Sequence, residues 1–332
     1  KELLLKVTKM MQRLFMTDND VYILTSSGSG AMEASIVNTL SPGDNVLATP
    51  IGAFGDRYAK IAESYGANVT RLEFEWSTAV DPDSLRGALN SSPDIKAVLV
   101  THNETSTGVT NDLKAIAEIV KDEFGKLLLV DAISSFGCIP LPVDDWKCDV
   151  VSGGSQKGLT VPPGLSFLSF SQIAKQAQLT ATMPRFYFDL EMVRKSLERG
   201  MTPATPAISL FFALDLALTN IFTLGVEEVF KRHIHIGDFT RRGIKDLGLS
   251  LLADDSCASN TVTAVKIPER IDAKELIDLM RTEYRVVVAG GVSRLEGKVL
   301  RIGHMGDVTE GEIEDCLGAL DASLRKLGFV RS

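Results

Sequence analysis

The chain has 332 residues, 45% hydrophobic and 23% charged, a globular composition long enough for one large domain plus a smaller one. A formal net charge of -8 and a pI near 5.2 exclude the basic stripe that a nucleic-acid-binding surface needs. The most apolar segment, "AISLFFALDLAL" (residues 207–218), is too short for a bilayer span and is interrupted by Asp215.

The chain opens on "KELLLKVTKMMQRLF", whose spacing predicts an amphipathic helix. "VYILTSS" (residues 21–27) predicts a strand that runs into the helical "GSGAMEASIVNTL", and "SPGDN" is a helix stop and turn. A second strand is expected at residues 44–50 and a helix from about Gly55 to Tyr65. "NVTRLEF", "AVLVTHN" and "LLLVDAISS" are three more strands, and "DVVSGGS" and "LSFLSFS" close the series. Continuous Val/Leu/Ile runs separated by helices predict an α/β fold. Its sheet is mostly parallel, with helices on both faces and ligands at the carboxyl ends of the strands. After Pro206 one long helical tract is expected to about Leu247, then strands at residues 260–268, 284–291 and 298–304 with helices between and after them. The expected division is a large domain over residues 1–222 and a small C-terminal α+β domain over residues 223–332. Cys138, Cys148, Cys257 and Cys316 lie far apart without C-x-x-C spacing. They suit small buried side chains in a reducing compartment, hence a cytoplasmic location, better than a disulfide framework or a zinc site.

Several stretches carry chemistry. In "TSSGSGAMEA" (residues 25–34), Gly28, Ser29, Gly30 and Ala31 stand between a strand and a helix, where close backbone approach and free N–H groups suit an anion. Glu33 occupies the last position of a dinucleotide fingerprint, so a single phosphate is the better guest; a plain tight turn is the alternative. Asp131 ends a buried strand, where a carboxylate is costly unless paired. It is either a turn residue or the partner of a protonated ring nitrogen. "THNETSTG" is dense in hydroxyls and, taken alone, reads as an Asx or Ser/Thr turn in preference to a site. Phe54 in "GAFGDR" is either core or a ring that stacks on a ligand. In "VVSGGSQKGLTVPPG" (residues 150–164) Lys157 fails the P-loop pattern, since Gly158 follows it. A Schiff-base lysine fits better, because the end of a buried strand desolvates the amine. Phosphate cradle, ring-stacker, hydroxyl cluster, buried acid and amine all fall on one sheet edge. Together they match the needs of pyridoxal 5′-phosphate.

"SSGSGAMEA", "HNETSTGV", "LLLVDAISS", "SGGSQKGLTVPPGLSFLSFS" and "GKVLRIGHMG", in this order, resemble the class V, fold-type I aminotransferases, in particular the alanine–glyoxylate and serine–pyruvate branch. The resemblance covers nearly the whole chain. It implies that Lys157 binds the cofactor covalently and then shuttles a proton, and that Asp131 pairs with the pyridinium nitrogen. Phe54 would stack on the ring, where many relatives have Trp. Ser29, Gly30 and Ala31 would hold the phosphate with Gln156 beside them, and Thr105 would reach the phenolic oxygen side. Arg301 would clamp the substrate carboxylate. The resemblance further implies a homodimer with shared active sites, in which Thr205 reaches the neighbour's phosphate, and an N-terminal arm that precedes Lys1. Some relatives have Tyr where this chain has Thr202. The implied reaction moves an amino group between alanine or serine and glyoxylate or pyruvate. A lyase of the cysteine desulfurase kind, which would need a ring-stacking His and a mobile reactive Cys, and a silent binding protein are the competing readings. No metal site is expected. His233 and His235, two apart on a helix, do not share a face and read as surface or partly packed. His102 is expected at the cofactor's edge or as a strand cap, and His304 at the pocket mouth.

Overall fold

Residues 1–330 are described by the structure, a computed structural model. In chain order the strands are β1 (Asp20–Leu24), β2 (Asn45–Ala48), β3 (Asn68–Arg71), β4 (Ala97–Thr101), β5 (Asn103–Glu104), β6 (Val109–Thr110), β7 (Leu127–Asp131), β8 (Val150–Gly154), β9 (Ser166–Phe170), β10 (Val262–Lys266), β11 (Ala289–Gly290) and β12 (Val299–Gly303). The α-helices are α1 (Glu2–Phe15), α2 (Gly28–Thr39), α3 (Ala53–Ser64), α4 (Pro82–Ser91), α5 (Leu113–Ala117), α6 (Gln172–Thr180), α7 (Leu190–Glu198), α8 (Ile208–Leu224), α9 (Val226–Asp246), α10 (Ala273–Glu283) and α11 (Glu310–Lys326).

Seven strands form one sheet in the order β1-β9-β8-β7-β4-β2-β3. All its neighbours are parallel except those of β9, which runs antiparallel to both β8 and β1. Side chains alternate across it with period two. Val98 and Val100 of β4 join one core with Val7, Met11 and Phe15 of α1, Leu85 of α4 and Leu214 of α8. Ala97 and Leu99 join the opposite core with Ile36 of α2, Tyr58 of α3 and Leu190 of α7. The apolar runs read in the sequence are therefore continuous because both faces of the sheet are covered. A second, three-stranded antiparallel sheet, β10-β12-β11, is packed by α9, α10 and α11 around its own core.

Two expectations are corrected. The helical tract after Pro206 is two helices, α8 and α9, bent by 88°. Gly225 between them sits at φ 96, a left-handed conformation that glycine adopts without strain. The strand expected at residues 284–291 shrinks to β11. Arg285 has φ 58, and the Val286 N–H donates to Met280 O (3.0 Å), so this segment finishes α10 instead of joining a ladder. Among the described residues no single helix is long and apolar enough to cross a membrane, though the bent α8–α9 pair would pass on length and composition together.

Candidate active site

Parallel register sets Thr101 of β4 beside Asp131 of β7, and Asp131 beside Ser152 of β8. The carboxyl ends of the central strands thus finish at one level. At this edge a cleft of about 250 Å³ is lined by Ser29, Phe54, Thr105, Asp131, Gln156 and Lys157, together with Ser27, Gly28, Arg57 and Ser134. Seven residues singled out in the sequence meet there, Gly28 with the first six. α2 enters it uncapped: Ser27 has an extended backbone, and no side chain accepts from the helix's first-turn N–H groups. Gly30 and Ala31 stand behind that rim. The Gly30 N–H donates to Ser27 O (2.9 Å), and Ala31 is fully buried in the core.

Asp131 is buried at the end of β7, and its Oδ1 accepts from the Ile133 N–H (2.9 Å). Burial pushes its carboxyl up to about 7; the nearby Glu104 carboxylate pushes the same way, against the Ile133 hydrogen bond and the charges of Lys157 and Arg57. A cation placed in the cleft would complete its ionisation. Lys157 is shifted in the opposite sense. Burial pushes its ammonium below the usual lysine range, and the Arg301 guanidinium adds to this while Asp131 opposes it.

The loop that presents Lys157 is held by its neighbours. Buried Ser155 donates its N–H to Leu165 O (3.0 Å) and its hydroxyl to Pro162 O (2.9 Å), and its carbonyl accepts from the Val161 N–H (3.1 Å). A Cβ on Gly158 would lie 2.3 Å from Cys138 Sγ and 2.6 Å from Phe136 O, so only glycine lets the loop lie against that turn.

Glu104 is a residue the sequence reading passed over. It is fully buried, and burial pushes its carboxyl up. Its Oε2 accepts from the N–H groups of Phe54 and Gly55 (both 3.0 Å), and its Oε1 accepts from the N–H (3.0 Å) and hydroxyl (2.6 Å) of Ser106. A buried acid thus clamps the first turn of α3, and with it Phe54. The "THNETSTG" stretch is a bonded turn after all, but one built around an acid. Its signal was a lone carboxylate among hydroxyls at a strand end. Arg57 was also passed over, although it follows Phe54 by three residues and so shares its helix face. Its guanidinium lies 4.8 Å from the Phe54 ring centroid, and its Nη1 lies 3.3 Å from Ser29 Oγ.

Arg301 does not line the cleft; it stands behind Thr105. Its Nε donates to Gly290 O (2.9 Å) and its Nη1 to Thr105 O (3.1 Å). Among the described residues it makes no salt bridge, so most of the guanidinium's five donors stay available. Burial pushes its pKa down, partly offset by Glu104. Thr205 lies outside the cleft, exposed, beside Phe186 and Tyr187. His304 is not at the pocket mouth: it is buried, with Nε2 against the Thr263 hydroxyl (2.9 Å). The surface reading of His233 is likewise corrected. The ring is buried, its Nε2 accepts from the Gly306 N–H (3.0 Å), and its Nδ1 donates to Val229 O (2.7 Å). His235 is exposed beside Glu310. The buried His102 ring meets Trp146 edge-on and does not line the cleft. Cys138, Cys148 and Cys316 are buried and Cys257 half-buried, and none lines the cleft. Among the described residues no group of three or more His, Cys, Asp or Glu side chains converges as a metal-binding set.

The family model described as aminotransferase class-V matches residues 3–315. A Synechococcus protein named as the small subunit of a soluble hydrogenase is 43% identical over 331 residues, covering 99% of this chain and 86% of that one. A serine–glyoxylate aminotransferase of Methylorubrum extorquens is 37% identical over 318 residues, covering 93% and 79%. The crystal structure of an alanine–glyoxylate aminotransferase from Nostoc sp. superposes with a TM-score of 0.93 at 31% identity, covering 98% and 87%.

Proposed function

The chain belongs to the class-V aminotransferases, and we propose that within that family it moves the amino group of a small amino acid, alanine or serine, to glyoxylate or pyruvate. The enzyme uses pyridoxal 5′-phosphate, the cofactor of its family and fold. The cleft's donor set fits that group. The uncapped first turn of α2 with Ser29 suits the phosphate, buried Asp131 suits a ring nitrogen that must keep its proton, and Phe54 suits the flat ring. The single observation that carries the reading is the opposed pair at one cleft. A carboxyl is held near 7 and an amine is held below its usual range, and perturbed titrations of this kind gather at reacting centres. When bound, the cofactor withdraws electrons from the substrate's Cα. The protein's part is then binding and proton transfer. Lys157 would hold the cofactor through its amine and, when free of it, would move the proton at the substrate's Cα. Asp131 holds the proton on the ring nitrogen.

Glyoxylate is named in both aminotransferase relatives given above, with serine in one and alanine in the other. Arg301, a half-buried guanidinium beside the cleft with donors to spare, suits a substrate with one carboxylate. A lyase reading is disfavoured by the absence of any cysteine from the cleft lining. The test is a panel of amino donors labelled with ¹⁵N. Label should appear in glycine when glyoxylate is the acceptor; conversion of labelled cysteine to labelled alanine with loss of its sulfur and no need of an oxo acid would mean a lyase of the cysteine desulfurase kind instead.

For Arg301→Lys we expect the apparent affinity for every amino and oxo acid to fall about 10- to 100-fold, since lysine keeps the charge but loses the planar fork. Steady-state kinetics would show it as raised KM with cofactor absorbance unchanged. Unchanged Michaelis constants with a lowered Tm would make Arg301 a scaffold residue.

The same reading includes a homodimer. α8 leaves Ile208, Phe212 and Leu216 59%, 62% and 63% exposed, four residues apart and hence one apolar stripe. Exposed Thr205 lies just before that helix, and in this reading it reaches the phosphate of a neighbour's site. Light scattering should give a dimer, and Phe212→Asp should shift it toward monomer and weaken cofactor retention. A native monomer with full activity would refute this. The large unit over residues 1–222 and the small unit over 223–332 belong to the same proposal, with the α8–α9 bend as their hinge region.

A further inference from the structure

We infer that Arg57 is the cation that neutralises the cofactor's phosphate, an inference that rests on the reading of the cleft given above. A phosphate monoester carries close to two negative charges at neutral pH. The first turn of α2 offers N–H donors and about half an elementary charge, while Ser29 and Gln156 are neutral. Of the cations lining the cleft, Lys157 is committed to the covalent link. Arg57 is the other.

Geometry places it at the phosphate end. Its Nη1 donates to Ser29 Oγ at 3.3 Å, which leaves the serine's own proton free to be given to an anion. Among the described residues no acid is within salt-bridge distance of it, and Asp131 across the cleft acts on it only at longer range. Asp56 pairs with Lys60 and Arg71, and the Glu104 carboxylate is filled by donors from Phe54, Gly55 and Ser106. Among the described residues Arg57 has no salt bridge. It also lies 4.8 Å from the Phe54 ring centroid, a cation–π distance. The guanidinium therefore ties the ring-stacker to the phosphate cradle. Two ends of one cofactor are positioned from a single face of α3.

The test compares pyridoxal 5′-phosphate with pyridoxal, which lacks the phosphate. Each is titrated into the cofactor-stripped full chain at low salt and followed by absorbance and intrinsic fluorescence. Arg57→Met should bind pyridoxal 5′-phosphate about 10- to 100-fold more weakly than the unmodified chain, bind pyridoxal equally well, and regain part of the loss as Arg57→Lys. Circular dichroism checks the fold; Arg57→Gln is a second neutral variant should the methionine one misfold. Equal weakening of both ligands would mean that Arg57 acts only through Phe54, and no weakening would mean that it touches neither; each overturns the inference. If the unmodified chain binds no pyridoxal 5′-phosphate, the reading of the cleft fails and the inference falls with it.

Discussion

Lys157→Ala is expected to lower amino transfer at least about 10⁴-fold while leaving the fold intact. Two losses combine. The chain loses the amine that would take the cofactor's aldehyde, and it loses the base that would move the proton at Cα, a role worth about 10²–10⁴ by itself. The structure separates this chemistry from stability. Ser155 and Gly158 hold the loop, and the lysine side chain makes no hydrogen bond or ion pair with another described residue. Burial already penalises its charged form, so alanine removes a cost as well as a contact. Single-turnover absorbance against alanine and glyoxylate measures the rate, and thermal unfolding of the apoprotein measures the fold. A variant that keeps one-tenth of the rate would show that another group does the work.

Asp131→Asn should cut turnover by about two to three orders of magnitude, the usual loss when one preorganised charge is removed from a reacting centre. Its stability should move the other way. Without the cofactor, burial above all pushes the carboxyl up from 3.8 to about 7. An acid whose folded pKa is raised contributes its full stability below the unfolded value and loses it as pH rises through the folded one. Between pH 4 and 7 the apoprotein therefore loses stability, reaching roughly 4 kcal/mol from this residue above pH 7. Asparagine cannot ionise, and its amide oxygen can still accept from Ile133. The Asn apoprotein should therefore unfold at a higher temperature than the Asp one at pH 8, with the difference vanishing near pH 4. Bound cofactor should erase the advantage, because a pyridinium repays the Asp charge. An Asn variant with near-normal rates would make the acid structural.

The parallel layer was legible because β4, β7 and β8 are buried throughout, and burial on both faces writes an unbroken apolar run. Asp131 and Lys157 were legible for the same reason, as charges where such runs stop. What escaped lies in geometry that local pattern does not carry. The reversed direction of β9 follows from hairpin pairing with β8, and an apolar run reads the same in either direction. The α8–α9 break needed the left-handed φ of Gly225, and the short β11 needed that of Arg285. Glu104 looked like one more polar turn residue, because its partners in α3 are some fifty positions away in sequence. Thr205 and Arg301 show the opposite limit. The resemblance named them, yet one lies outside the cleft and the other behind its wall.

The most direct test of the account is to reduce the enzyme with borohydride in the presence of pyridoxal 5′-phosphate, digest it and map the modified peptide. The account predicts one reduced pyridoxyl phosphate group per chain, on Lys157, with the visible absorbance of the cofactor lost in proportion. Label on another lysine, or label spread over surface lysines with Lys157 unmodified, would contradict it.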